Sequence, residues 1–270
     1  MRGRGEERYD FIHADALFLR GDYRAAFEEY FYAATVLHEP QAAFDVAFLY
    51  HMGYGVPRNA KMARDFFHAA LALDGGVAAF NLALLDLRGI GGAVDFESAA
   101  RWMRRAAAED CIDAQLYLGL AHTMGYLFDP LDIECISMIP YRRIISRSTG
   151  SLLYGHNFDP SADARRYEVL EADGEAAVEM FRSAAKHKDA TYIEKQLGDA
   201  NLMLGQALIE GMGDEYDPAK GFRLIRRAAI KHGLEDAAGY LTAHREKALA
   251  YGVDADKIGQ LGKDEYGKEE

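Results

Sequence analysis

The sequence predicts an all-α fold, an α-solenoid of stacked antiparallel helix pairs. Two spacings indicate it. Paired alanines recur at residues 33–34, 69–70, 106–107, 184–185 and 228–229, and glycines recur at 53, 89 and 125. The first alanine steps are 36 and 37 residues, a length typical of one helix pair. A single pair cannot bury its apolar face, whereas a stack of pairs can.

Each copy of the unit predicts two helices. The first helix, roughly residues 42–52, carries a small residue at one fixed place, where a neighbouring helix can approach closely: Ala47, Ala83, Gly119 and Gly205. Gly53-Tyr54-Gly55 and its two equivalents then supply left-handed backbone that ends the helix. Asp217-Pro218 reads as an N-cap followed by proline at the first helical position. The second helix is expected to bury a large residue four before an alanine, namely Phe66, Trp102, Met180 and Leu224.

These motifs resemble those of Sel-1-like repeats, relatives of the tetratricopeptide repeat. The motifs are Leu118-Gly119, Gly53-Tyr54-Gly55-Val56, and the run from Ala99 through Trp102 to Ala107. The first unit, Ala16 to Leu37, looks more like a tetratricopeptide repeat. The resemblance implies a superhelix of helix pairs that acts as an interaction scaffold, and it leaves the partner open.

We predict a single repeat domain over residues 1–253, with an insertion at about 128–174 and a polar, frayed tail at 254–270. The step of 78 residues between the third and fourth alanine pairs suggests about two periods with a few residues added. Leu127 stands where the third copy should have its second glycine. Asp236 to Val253 lacks a Gly-x-Gly pattern and is interpreted as a terminal cap helix.

The insertion differs in charge from the rest of the chain. Residues 136–158 contain Arg142, Arg143 and Arg147 and no acidic residue. Two interpretations stay open. The arginines pair with acidic residues of neighbouring repeats and hold the loop down, or they contact a partner, since long ordered insertions are often functional.

Composition narrows the possible partners. The net charge is −12, which repels phosphate backbones, so we expect no nucleic-acid partner. No run of 18 apolar residues occurs, so we expect no membrane insertion. Two cysteines and no signal-peptide pattern favour a cytoplasmic protein. A factor exported without a signal peptide is the alternative.

No catalytic or metal-binding pattern is found in the sequence. The nine histidines include no His-Glu-x-x-His motif, and a zinc site would need more cysteines than Cys111 and Cys135. Neither a Gly-x-Ser-x-Gly motif nor a phosphate-binding loop occurs. We therefore predict no enzyme activity, metal or cofactor. The alternative is an enzyme whose site is formed by the groove and the 128–174 insertion, with His122 or His156.

The first helices should line the concave face of such a solenoid and bind a protein or peptide partner there. The candidate binding residues mix apolar and polar side chains: Asp45, Phe48, Met52, Asn81, Leu84, Arg88, Tyr117, Leu120, Met124, Met203, Gln206 and Glu210. The alternative is that these side chains complete the packing between repeats.

Overall fold

A computed structural model describes residues 11–72, 75–128, 166–167, 171–188 and 194–254. Within them the helices are α1 (Ile12–Leu19), α2 (Tyr23–Thr35), α3 (Pro40–Met52), α4 (Ala60–Ala70), α5 (Gly75–Arg88), α6 (Phe96–Ala108), α7 (Ile112–Met124), α8 (Gly174–Ala185), α9 (Glu194–Glu210), α10 (Pro218–Lys231), α11 (Glu235–Ala243) and α12 (Arg245–Ala250). Two short strands, β1 (Leu127–Phe128) and β2 (Arg166–Tyr167), pair antiparallel. The predicted all-α fold of helix pairs is confirmed.

The chain divides into two compact units, which hold α1 to α6 and α7 to α12. Successive helices pack as pairs within each unit. We call α3, α5, α7 and α9 first helices, and α4, α6, α8 and α10 second helices. Residues 129–165, which include Arg142, Arg143 and Arg147, lie outside the described residues, as do 255–270. The single domain over residues 1–253, the role of the insertion and the frayed tail therefore stay predictions.

Glycines end the first helices, as the sequence predicted. Gly53, Gly89, Gly125 and Gly211 all have φ between 64° and 77°, the left-handed region that a side chain disfavours. The second helices begin at capping residues whose side chains accept backbone N–H groups three residues on: Asn59, Asp95, Asp173 and Asp217. The start and end of each helix are thus encoded locally.

One backbone hydrogen bond closes every repeat. The N–H of the capping residue donates to a carbonyl near the end of the preceding first helix, at 2.9–3.0 Å: Asn59 to Tyr50, Asp95 to Asp86, Asp173 to His122, and Asp217 to Leu208. The capping residue follows the helix-ending glycine by 6 residues in three repeats and by 48 in the repeat of α7 and α8. That repeat is therefore complete and carries the insertion in its internal loop.

The predicted division of the 78-residue step into about two periods is accordingly wrong. The extra chain lies inside one repeat, between α7 and α8. At the position of Leu127 the other repeats have a second glycine with left-handed backbone. Here the chain instead continues into strand β1, where Leu127 pairs with Tyr167 of β2. The Leu127 side chain is buried at this point of departure.

The second helices bury a different residue from the one predicted. Phe67, Met103, Phe181 and Ile225 are buried, whereas Phe66, Trp102, Met180 and Leu224, each one residue earlier, are partly exposed. Phe67 lies between Ala63 and Ala70 on the face that meets the paired helix. The Phe66 ring instead packs sideways, 5.8 Å from Phe31 and 6.0 Å from Tyr50 between ring centroids.

The C-terminal cap is two short helices rather than the single helix predicted. The helical conformation is interrupted at His244, between α11 and α12. Leu241, Ala248 and Val253 are nevertheless buried against Phe222 of α10, so the predicted covering of the last repeat is present.

Replacing Asp217 by alanine should lower the free energy of unfolding by about 1 kcal/mol. The Asp217 carboxylate accepts the Lys220 N–H at 2.9 Å, and alanine leaves that donor without its capping partner. Urea denaturation measures the change. Asp217→Ser is the control, because serine is also a good N-cap, and it should stay close to the wild type. Equal losses in both variants would contradict the capping role.

Candidate functional site

The small residues of the first helices define which side of each helix faces its paired helix. A Cβ atom at Gly119 would overlap the Phe181 ring of α8. Asp113, Tyr117, Leu120 and Met124 follow one another at i, i+4, i+7 and i+11 and so form a stripe on the far side of α7. The predicted binding row therefore occupies one face of the helix, as expected from the repeat.

Half of the twelve candidate residues are buried, which corrects the prediction for these six. Five of the candidate residues expose at most 4% of their surface: Asp45, Phe48, Asn81, Leu84 and Tyr117. Met203 is also buried. The prediction that these side chains are accessible to a partner is wrong for this structure, because a partner can contact only exposed groups.

The reasons lie in local contacts. The Phe48 ring lies 6.3 Å from that of Phe18 and 6.1 Å from that of Tyr54, so it is part of an aromatic cluster. The Asn81 amide donates to the Val77 carbonyl at 2.9 Å, one turn earlier on its own helix. A polar side chain that satisfies its donor within its own helix does not need water.

The remaining candidates are partly or fully exposed: Met52, Arg88, Leu120, Met124, Gln206 and Glu210. They lie in the C-terminal parts of α3, α5, α7 and α9. Met52, Arg88 and Met124 occupy the same repeat position, 36 residues apart. We call these six residues the accessible row. Met52 and Arg88 belong to the first compact unit and the other four to the second.

In the second unit the accessible row lies beside a methionine that the sequence analysis did not select. Thr123 of α7 places its hydroxyl 3.8 Å from the Met212 sulfur, in the turn after α9. Met212 is partly exposed, and α7 also contacts α9. Leu120 and Met124 on α7 and Met212 after α9 are thus partly exposed apolar groups of this unit, and Gln206 and Glu210 are polar groups in the C-terminal part of α9.

A buried polar network in the second unit was also missed from sequence. The His187 ring lies 3.0 Å from the Gln115 amide oxygen, and the Gln196 amide donates to Asp113 at 3.4 Å. Gln115 stands where the earlier copies have Ala43 and Ala79. The glutamine at a repeat position otherwise held by alanine was the sequence signal that could have indicated these buried hydrogen bonds. The network ties α7 to the segments around α8 and α9.

His51 is a buried imidazole next to two cations. Burial, together with the smaller effect of the charges on Arg58 and Arg88, lowers its pKa from 6.5 to about 4. The folded protein therefore keeps this ring neutral at pH values where the unfolded chain protonates it.

Stability should consequently fall as the pH drops from 6.5 toward 4. In this window the unfolded chain binds a proton at His51 and the folded chain does not, so protons favour unfolding. Urea midpoints measured from pH 7.5 to pH 4.5 test this expectation. His51→Leu removes the titrating group, and its midpoint should fall less steeply over the same range. Identical slopes for the two proteins would contradict the assignment.

The described residues show no group of three or more histidine, cysteine or acidic side chains that could hold a metal ion. The Cys111 thiol is buried and forms no disulfide bond within the described residues, while His156 and Cys135 lie outside the described ranges. In the part of the chain that the structure describes, no observation favours the enzyme alternative. The backbone carbonyl of His122, one of the two histidines of that alternative, accepts the hydrogen bond from the Asp173 N–H that closes the repeat. The absence of enzyme activity, metal and cofactor stays a prediction.

Of the described helices, none has the length and hydropathy needed to cross a membrane.

The family model of the Sel1 repeat matches residues 40–74, 76–111, 168–189 and 198–231. The chain belongs to the Sel1 repeat family. The resemblance noted from the motifs is confirmed. Three of the matched ranges coincide with helix pairs, α3 with α4, α5 with α6, and α9 with α10. The third covers α8 but not α7, because the insertion separates the two helices, and the structure supplies the missing half of this Sel1 repeat.

Two solved structures are similar to this Sel1 repeat protein. A Sel1 repeat protein from Oxalobacter formigenes has a TM-score of 0.59 and 21% identity, over 82% of this chain and 49% of its own. The c5321 protective antigen of uropathogenic Escherichia coli, which displays an SLR fold, has a TM-score of 0.44 and 19% identity, over 90% and 50%. The chain thus spans about half the length of either protein, and the first likeness supports the fold alone. Among curated proteins, none matches the chain.

Proposed function

We propose that this Sel1 repeat protein is a non-enzymatic scaffold that holds a segment of a partner protein against the four accessible-row residues of its second compact unit, Leu120, Met124, Gln206 and Glu210. Sel1 repeat proteins are generally protein-interaction scaffolds. The observation that carries the finer proposal is the exposure of these four side chains on α7 and α9, whereas Tyr117 and Met203 of the same helix faces are buried.

This surface of the second compact unit combines apolar and polar side chains. Leu120 and Met124 of α7 and Met212 after α9 are partly exposed apolar side chains, and Gln206 and Glu210 of α9 are accessible polar ones. Methionine adapts its shape to different partners, and apolar groups bordered by polar ones are typical of protein interfaces. A short apolar segment of a partner, flanked by hydrogen-bonding groups, fits this composition.

Photocrosslinking from the native cell tests the proposal. A benzophenone amino acid is placed at Met124 and, as the control, at Lys186, which is exposed at the end of the second helix of the same repeat. We expect the Met124 probe to yield a specific protein adduct and the Lys186 probe to yield none. Equal adducts at the two positions, or none at Met124, would contradict the proposed surface.

The captured protein then allows a direct measurement of binding. Leu120→Asp/Met124→Asp should raise its Kd at least tenfold in calorimetric titration, because two carboxylates then face apolar groups of the partner. Circular dichroism checks that the variant keeps its helices. An unchanged Kd in a folded variant would refute the surface. Phe48 and Tyr117 are unsuitable for this test, since both are buried and their replacement would also destabilise the fold.

The compartment and the exclusion of nucleic acid are not decided by these observations. The cytoplasmic location and the protein-only partnership therefore stay predictions from composition.

A further inference from the structure

The second helix α10 carries an unusual concentration of positive charge. Its 14 residues include five basic side chains and no acidic one: Lys220, Arg223, Arg226, Arg227 and Lys231. The whole chain has a net charge of −12. Like charges three and four residues apart on a helix repel one another.

Three of these cations form a line on the solvent side of the helix. Lys220, Arg223 and Arg227 are all exposed and follow one another at i, i+3 and i+7. The opposite side, with Phe222 and Ile225, is buried in the core of the second unit. We call Lys220, Arg223 and Arg227 the basic stripe. It extends about 10 Å along the helix axis.

On two other second helices, one arginine is held in an ion pair. Arg182 of α8 forms ion pairs with Glu179, at 3.0 Å, and with Glu215. Arg105 of α6 pairs with Glu109 at 2.8 Å. In the described ranges of the chain, no acidic oxygen lies within ion-pair distance of Lys220 or Arg223. These two cations of the basic stripe therefore keep their charge available to an external anion.

We propose that the basic stripe binds a short acidic segment of a partner protein. This surface lies on a second helix, so the proposal goes beyond the accessible row and does not depend on it. An extended peptide advances about 3.3 Å per residue, so three or four residues span the stripe. Carboxylates of such a segment would meet Lys220 and Arg223 and relieve the repulsion between these two cations.

Two other polyanions fit the stripe less well. The apolar side of α10 is already buried against Phe222 and its neighbours, so this helix cannot lay an apolar face into a membrane. A nucleic-acid backbone carries charge far beyond 10 Å, and its further phosphates would meet a chain of net charge −12. A few carboxylates on a short segment avoid that repulsion.

Fluorescence anisotropy with a labelled deca-glutamate peptide tests the proposal on the full chain at 50 mM salt. Lys220→Gln/Arg223→Gln should raise the Kd at least fivefold. The matched control is Arg101→Gln/Arg104→Gln, which removes two exposed arginines of α6 and the same net charge. It should stay within twofold of the wild type. Glutamine keeps the helix propensity, so both variants should fold.

The alternatives are outcomes of the same experiment. Equal weakening by the two variants would mean that only net charge matters and would overturn the proposal. A Kd that Lys220→Gln/Arg223→Gln leaves unchanged would overturn it as well. A labelled 15-nucleotide single strand and phosphatidylserine vesicles are titrated in parallel. Tighter, stripe-dependent binding of either one would overturn the assignment to an acidic protein segment.

Discussion

Replacing Arg64 by methionine should lower the free energy of unfolding by about 3 kcal/mol, the largest loss that we expect from one surface-proximal substitution. Arg64 of α4 forms an ion pair with Asp86 of α5, and the two side chains are only 17% and 6% exposed. Arg64 also donates to the Ile90 carbonyl at 2.9 Å. Methionine fills similar space but leaves the Asp86 carboxylate buried without its cation.

Urea denaturation measures this loss, and two further variants interpret it. Arg64→Met/Asp86→Leu removes both charges and should recover part of the stability, because no uncompensated charge is then left in the interior. Arg105→Met breaks the exposed pair with Glu109 and should cost at most about 0.5 kcal/mol. If Arg64→Met costs no more than Arg105→Met, the buried pair has no special role.

Replacing Gly205 by alanine should destabilise the protein by about 2 kcal/mol, although alanine is the better helix former. A Cβ atom at Gly205 of α9 would lie 2.5 Å from Ile225 Cγ1 and 2.7 Å from the Gly221 carbonyl oxygen of α10. The second contact is with backbone, which cannot rotate away as a side chain can. The helices would therefore have to move apart along their whole interface.

Gly239→Ala is the matched control, since this glycine lies within α11 and a Cβ there has no neighbour within 4 Å. It should stabilise the protein by up to about 1 kcal/mol through helix propensity alone. The same chemical change is thus expected to have opposite signs at two helical glycines. Urea midpoints that shift in the same direction at Gly205 and Gly239 would show that the α9–α10 contact is not tight.

The sequence was sufficient to predict the helix pairs because the residues that start and end each helix act locally. A glycine with positive φ ends each first helix, and an aspartate or asparagine caps the second, so residues such as Gly89 and Asp95 determine both ends of the turn between them. Neither signal depends on what packs against the helix. The same is true of the fixed small residue, which permits close approach wherever the next helix lies.

The candidate site was less predictable because burial is not a local property. Helical spacing correctly placed Phe48 and Met52 on α3, but it could not show that Phe48 is buried among aromatic rings while Met52 stays partly exposed. Asp45 and Asn81 were predicted to lie at the binding surface because they are polar, but both are buried. A polar side chain can be buried when it forms hydrogen bonds inside the protein. Periodicity assigns a residue to a face, and only the surrounding chain decides whether that face meets solvent.

The insertion shows a second limit of reading spacing. A step of 78 residues fits two loosely spaced repeats as well as one repeat with additional chain, and alanine positions alone cannot separate the two. The hydrogen bond from the Asp173 N–H to the His122 carbonyl does separate them, because it reproduces the closure of the other repeats.

Because the same hydrogen bond closes the repeat, the packing of its two helices does not depend on the length of the chain between them. For a flexible connection, growth from 6 to 48 residues costs only about 2 kcal/mol in closure entropy. The α7–α8 junction is therefore a position at which evolution, or a protein engineer, can exchange one cassette of sequence for another. New recognition properties can be acquired there while the helical framework is inherited unchanged.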